Sequence, residues 1–92
     1  MTEEQQGELE KAAAEALIAE TPQFLGVEAV RVELGDDHTG DPSMWIVFKL
    51  RSDLVVDEPW VKAFSEYSTK LGLKLIHSGL SRFPYTRLEP AA

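Results

Sequence analysis

Cysteine is absent from the 92 residues, which excludes disulfides and thiolate metal centres and leaves the chain indifferent to a reducing compartment. Long apolar runs are absent too; nothing approaches the roughly 20 residues needed to span a bilayer as a helix. The opening Met1-Thr2-Glu3-Glu4-Gln5-Gln6 is acidic and polar and does not read as a secretory leader, so a cytoplasmic location is expected. Basic residues are scarce in the first part: residues 1–41 hold eleven acids against Lys11 and Arg31. Residues 42–92 hold seven bases against five acids, so a net charge of −7 divides into −9 and +2. An acidic half of this kind repels phosphate backbones and either favours encounter with a basic protein or simply keeps a small domain soluble. The chain also lacks a Gly-x-Ser-x-Gly elbow, a glycine-rich phosphate loop and the Gly-x-x-Gly loop of a KH module. Neither direct nucleic-acid binding nor nucleophilic catalysis is therefore expected, nor is a membrane partner or a cofactor.

What is present is an ordinary globular mix, 43% hydrophobic, 27% charged and 9% aromatic, long enough for one domain with one modest core. Residues 3–20 read as an amphipathic helix with Leu9, Ala12, Ala13, Ala16 and Leu17 at helical spacing. Gly7 weakens its start, so residues 1–7 are expected to fray, and Thr21-Pro22 ends it. Residues 27–34 read as a half-buried strand, with Val30, Val32 and Leu34 alternating with Arg31 and Glu33. The run Gly35–Pro42 is dense in turn formers and predicts a loop. In a second strand, 43–51, Met44, Ile46, Phe48 and Leu50 face the core and Trp45, Val47, Lys49 and Arg51 face away. Asp57 caps a second helix over 58–71, with Pro59 in its first turn and a core stripe of Trp60, Phe64, Tyr67 and Leu71 beside Val61. Gly72 reads as its left-handed cap, residues 73–77 fit either a strand or a continuation of the helix, and Ser78-Gly79 marks a turn. Residues 83–88 read as a final strand at an edge, because Pro84 cannot donate to a ladder, with 89–92 as a tail. The order helix-strand-strand-helix-strand predicts an α+β domain over 1–92, a small antiparallel three-stranded sheet with two helices on one face.

Chemistry concentrates in Asp36-Asp37-His38-Thr39-Gly40-Asp41-Pro42. Asp37, His38 and Asp41 are the weak metal-ligand or acid–base candidates, although the spacing is not that of an EF-hand and one histidine is thin for zinc. The same residues equally suit a tight loop held by its own aspartates with Gly40 at positive φ, or a surface read by a partner. Trp45 and Val47 make the second sheet face partly apolar, so that face is either covered or available to a partner, and they are candidate partner-binding residues together with Asp37, His38 and Asp41. Arg82 and Arg87 flanking Phe83 and Tyr85 form the one basic-aromatic interleave, which fits an ordinary strand.

The loop Asp37-His38-Thr39-Gly40-Asp41-Pro42 and the later Arg82-Phe83-Pro84 resemble those of a family of small uncharacterised bacterial proteins. That family has an Asp-Trp-x-Gly-Asp-Pro loop, a following strand, a helix and a terminal Arg-Phe-Pro strand; here His38 stands in place of Trp. The resemblance covers roughly residues 27–88, and the six-residue loop is its specific part. Such proteins accompany small helical HEPN-like proteins, often ribonuclease toxins, so the resemblance implies an antitoxin-like or accessory role beside an RNA-directed partner. The two readings to carry forward are thus a non-enzymatic protein-binding module with a basic protein partner, and a small metal-dependent or acid–base enzyme centred on residues 36–42. Pairing with a second copy, through the exposed strand face or the Pro84 edge, is compatible with either.

Overall fold

The structure is a computed structural model that describes residues 2–91. Helix α1 (Glu3–Glu20) opens on a capping box in which the Thr2 hydroxyl accepts from the Gln5 N–H and the Gln5 side chain accepts from the Thr2 N–H. This cap satisfies donors of the first turn, and α1 is regular from Glu3 onward through Gly7. Strands β1 (Val27–Asp36) and β2 (Pro42–Leu50) form an antiparallel hairpin with a bulge between Val27 and Ala29. Helix α2 (Glu58–His77) and strand β3 (Phe83–Glu89) complete the order, so the chain is α+β.

The sheet order is β1-β2-β3, and β3 runs parallel to β2, with Ser43 opposite Phe83 and Lys49 opposite Glu89. The sheet is therefore mixed, not purely antiparallel as expected. The reason lies in the length of α2. It does not stop at residue 71 but runs 20 residues, about 30 Å. That length carries the chain from the end of β2 back to its beginning, as a parallel crossover requires. Gly72 lies inside the helix, and the left-handed cap falls on Gly79 (φ 96°), with Ser78 closing the last turn. No internal contact requires a bare Cα at Gly72, where a Cβ would meet nothing within 4 Å. Gly72→Ala is accordingly expected to stabilise the fold by about 0.5–1 kcal/mol, read as a higher urea midpoint at unchanged m-value.

Both helices cover one sheet face. Val32, Met44, Ile46 and Phe48 form its buried floor, and Ala14, Trp60, Phe64, Leu71 and Leu75 descend onto it. Helix α2 keeps its expected stripe, whereas Val61 beside it is half exposed. Helix α1 is rotated from the expected face: Gly7, Glu10 and Ala14 are buried, while Leu9, Ala12, Ala13 and Ala16 are exposed. Alanines impose little rotational preference, and the orientation is set instead by Gly7, which lets Leu34 and Arg82 approach closely, and by Glu10. The Glu10 carboxylate accepts from the Ser81 N–H, the Ser81 hydroxyl and the Arg82 N–H, tying α1 to the start of β3. Among the described residues no helix is long and apolar enough to cross a membrane.

Candidate functional site

The sheet face away from the helices is roofed by the chain's own side chains. Arg31, Val47 and Arg87 lie side by side across the three strands, and so do Glu33, Trp45 and Tyr85. Arg31 on β1 pairs with Glu89 on β3, and Arg87 on β3 pairs with Glu33 on β1 at 3.5 Å, so two diagonal ion pairs cross over β2. Lys49 and Glu28 add a looser pair at 4.0 Å. This face carries Arg31, Lys49 and Arg87 against Glu28, Glu33 and Glu89 and is electrically neutral. Beneath the roof Val47 is wholly buried (0% exposed), which corrects its reading as a residue offered to a partner. Trp45 remains half buried. Its ring stacks on Tyr85 at 5.0 Å and 26°, with the Arg87 guanidinium 4.6 Å above it. A cation held over an indole in this way is a favourable electrostatic contact.

The aromatic row continues from Trp45 through Tyr85 to Phe83, whose ring lies 4.8 Å from that of Tyr85 and is 55% exposed. Phe83 and Tyr85 wall a cleft of about 500 Å³. Its other sides come from α1 (Glu3, Gln6, Gly7, Glu10), the β1–β2 loop and start of β2 (Asp37, Asp41, Pro42, Ser43), and Ser81 and Arg82. The two motifs that lie forty residues apart in sequence, Asp37–Pro42 and Arg82-Phe83-Pro84, thus meet at one site because β2 and β3 start side by side.

Within the cleft the carboxylates have different tasks. Asp37 Oδ1 accepts from the Thr39 hydroxyl (2.6 Å), the Thr39 N–H (2.8 Å) and the Asp41 N–H (3.0 Å), and Oδ2 accepts from the Tyr85 hydroxyl (3.2 Å). The Thr39 hydroxyl is the largest cause holding the Asp37 carboxyl down at about 2; the backbone donors and Tyr85 add to it against a smaller opposing effect of burial. Burial and the facing Asp37 charge raise the Tyr85 hydroxyl above its ordinary value. With Gly40 at φ 88°, Asp37 is the organiser of the loop. Burial pushes Glu10 up, but donation from Ser81, Arg82 and Gln6 outweighs it and leaves the carboxyl below its ordinary value. Arg82 Nη1 donates to the Ser43 carbonyl at 3.1 Å. Glu3 and Asp41 are the exposed acids of the cleft, and Asp41 Oδ2 accepts a long bond from the Thr39 hydroxyl at 3.3 Å.

His38 is exposed and does not line the cleft. Among the described residues no three His, Asp or Glu side chains converge as a metal site would require. A carboxylate held ionised to about 2 is also a weak base near neutral pH. Of the loop candidates for acid–base chemistry, Asp37 is thus committed to holding the loop. Sequence reasoning missed Glu3, Gln6 and Glu10 as site residues, since helical carboxylates ordinarily point to water; Tyr85 and Phe83 were visible only as strand residues. Comparison with family models, with curated proteins and with solved structures returned no match.

Proposed function

We propose that this chain is a non-enzymatic protein-binding module that holds a basic segment of a partner protein in the cleft between α1, the β1–β2 loop and β3. The observation that carries the reading is the charge of the cleft: Glu3, Glu10, Asp37 and Asp41 line it against Arg82 alone, beside the aromatic wall of Phe83 and Tyr85. A Lys or Arg side chain entering there meets the exposed carboxylates of Glu3 and Asp41 and the faces of two aromatic rings. Trp45 contributes from behind, by stacking on Tyr85 and fixing the wall. The roofed, neutral sheet face leaves the acidity to this end of the molecule and to the outer side of α1, so the cleft also steers encounter. An anionic polymer is repelled by the same charges.

The resemblance of the Asp37–Pro42 and Arg82–Pro84 motifs supports a more specific version, in which the chain is an antitoxin-like or accessory protein of an RNA-directed partner in the cytoplasm. The test is affinity capture on the wild-type chain and on the double variant Glu3→Lys, Asp41→Lys, with nuclease present. A captured protein is expected to bind the variant at least about tenfold more weakly and to lose affinity as salt rises. Capture that is indifferent to both the charge reversal and salt would sink the reading.

A further inference from the structure

We propose that a second copy of this chain docks on the free edge of β3, pairing β3 with β3 in antiparallel register about a two-fold axis through Thr86. Strand β3 is hydrogen-bonded on one side only, to β2, so its other edge carries unmatched backbone groups. The opposite edge of the sheet is guarded: β1 carries the bulge at Val27/Ala29 and the charges of Glu28, Arg31 and Glu33. The β3 edge has Pro84 as its one backbone guard and apolar side chains around it. Leu73 and Ile76 of α2 form a groove with Phe83, Pro84 and Thr86 along this edge, of about 250 Å³. Leu73, Ile76, Phe83 and Leu88 are 49%, 40%, 55% and 41% exposed.

The occupant follows from the strand's own sequence. Read against its reverse about Thr86, the inner part of Phe-Pro-Tyr-Thr-Arg-Leu-Glu is self-complementary: Pro84 falls opposite Leu88, and Tyr85 opposite Arg87, while the outer pair sets Phe83 opposite Glu89. The first pair is apolar and lies on the helix-covered side, where Pro84 is already buried and Leu73 and Ile76 of the two copies would close over the exposed Leu88. The second pairs a cation with an aromatic ring on the other side. Charge points the same way. Strand β3 carries one acid and one base, Glu89 and Arg87, whereas an approach along α1 brings acid against acid in a chain of net charge −7. A two-fold contact uses the same patch on both copies, so the assembly closes at two.

The experiment measures mass by sedimentation across a concentration series. The wild-type chain is expected to reach twice its 10.3 kDa mass. Thr86→Lys and Thr86→Glu are each expected to stay monomeric by placing like charges on the axis, and an equimolar mixture of the two to restore a dimer. Because the chain has no cysteine, Thr86→Cys supplies a second readout that is independent of how the charged variants fold: it should cross-link to a dimer on mild oxidation, while Thr39→Cys at the loop tip should not. A wild-type chain that remains monomeric, a dimer untouched by either charge, or equal cross-linking at both positions would each overturn the proposal. None of these outcomes depends on the cleft binding a partner.

Discussion

Replacing Phe64 by alanine is expected to cost about 3–5 kcal/mol, the range for truncating a large buried aromatic. Phe64 is 5% exposed and sits where α2 meets the sheet. Its ring stacks on Trp60 at 5.0 Å and 5°, and meets Phe24 at 5.5 Å and Phe48 at 5.0 Å edge-on. Truncation removes apolar burial, strips three aromatic neighbours of a partner, and leaves a void that rigid surroundings fill only in part. Small domains hold about 5–15 kcal/mol in all, so the loss is a large share of the total. Urea unfolding followed by far-ultraviolet circular dichroism should show a much lower midpoint at similar m-value. Phe64→Leu, which keeps most of the volume, should cost less than about 2 kcal/mol. A loss below 1 kcal/mol for the alanine variant would mean that α2 does not pack on β2 as described.

The consequences reach beyond the core. The neighbouring Trp60 donates its indole N–H to the Leu25 carbonyl at 2.9 Å, and Tyr67 donates its hydroxyl to the Pro22 carbonyl at 2.8 Å. These two bonds, with Phe24 against Trp60, Phe64 and Tyr67, pin the connector between α1 and β1 to α2. The chain leaving the C-terminal end of α1 is held against α2 there.

The legible part of this fold is the part that apolar periodicity encodes. The alternation of Val30, Val32 and Leu34 and of Met44, Ile46, Phe48 and Leu50 marks both hairpin strands and their inner face, and Trp60, Phe64 and Leu71 mark the α2 stripe. Pro84 marks an edge strand, and β3 is one. The direction of β3 was not legible, because Gly72 mimics a helix end. A glycine in a helix interior costs little enough for α2 to continue through it, and the helix ends instead at Ser78-Gly79, the turn that the sequence also marks. The rotation of α1 was illegible for a related reason. Its alanines fit either face, and Glu10 reads as solvated until Ser81 and Arg82 are brought to it from 71 and 72 residues away. In the candidate site the loop aspartates stood out from composition alone. Their division of labour did not: Asp37 takes the Thr39 hydroxyl and the Thr39 and Asp41 N–H groups within the loop, and also the Tyr85 hydroxyl that the parallel placement of β3 delivers.

Glu10→Ala is expected to cost about 2–3 kcal/mol, more than a surface carboxylate warrants, because it leaves donors at the start of β3 without their acceptor. Glu10 is 6% exposed, and its two oxygens take the Ser81 N–H, the Ser81 hydroxyl and the Arg82 N–H. Glu10→Gln keeps one carbonyl oxygen and should lose less, which separates lost hydrogen bonding from lost charge. The two variants also differ from wild type in acid. Folding lowers the Glu10 carboxyl from its ordinary 4.5, so the folded state favours the ionised form. Its contribution is therefore complete above the unfolded value and fades as pH falls through the lower folded value. Wild-type stability should decline below about pH 4.5, with Glu10→Gln declining less steeply over the same interval. Asp37 obeys the same sign further down, from 3.8 to about 2, and its share should survive in the Glu10 variants. Stability measured by urea titration at stepped pH resolves the two windows. Equal slopes for wild type and Glu10→Gln would show that the carboxylate does not hold α1 to β3 through its charge. Since Arg82 and Phe83 follow directly on that contact, the same acid interval is where the cleft should lose its aromatic wall, and binding of a basic partner should fall with stability there.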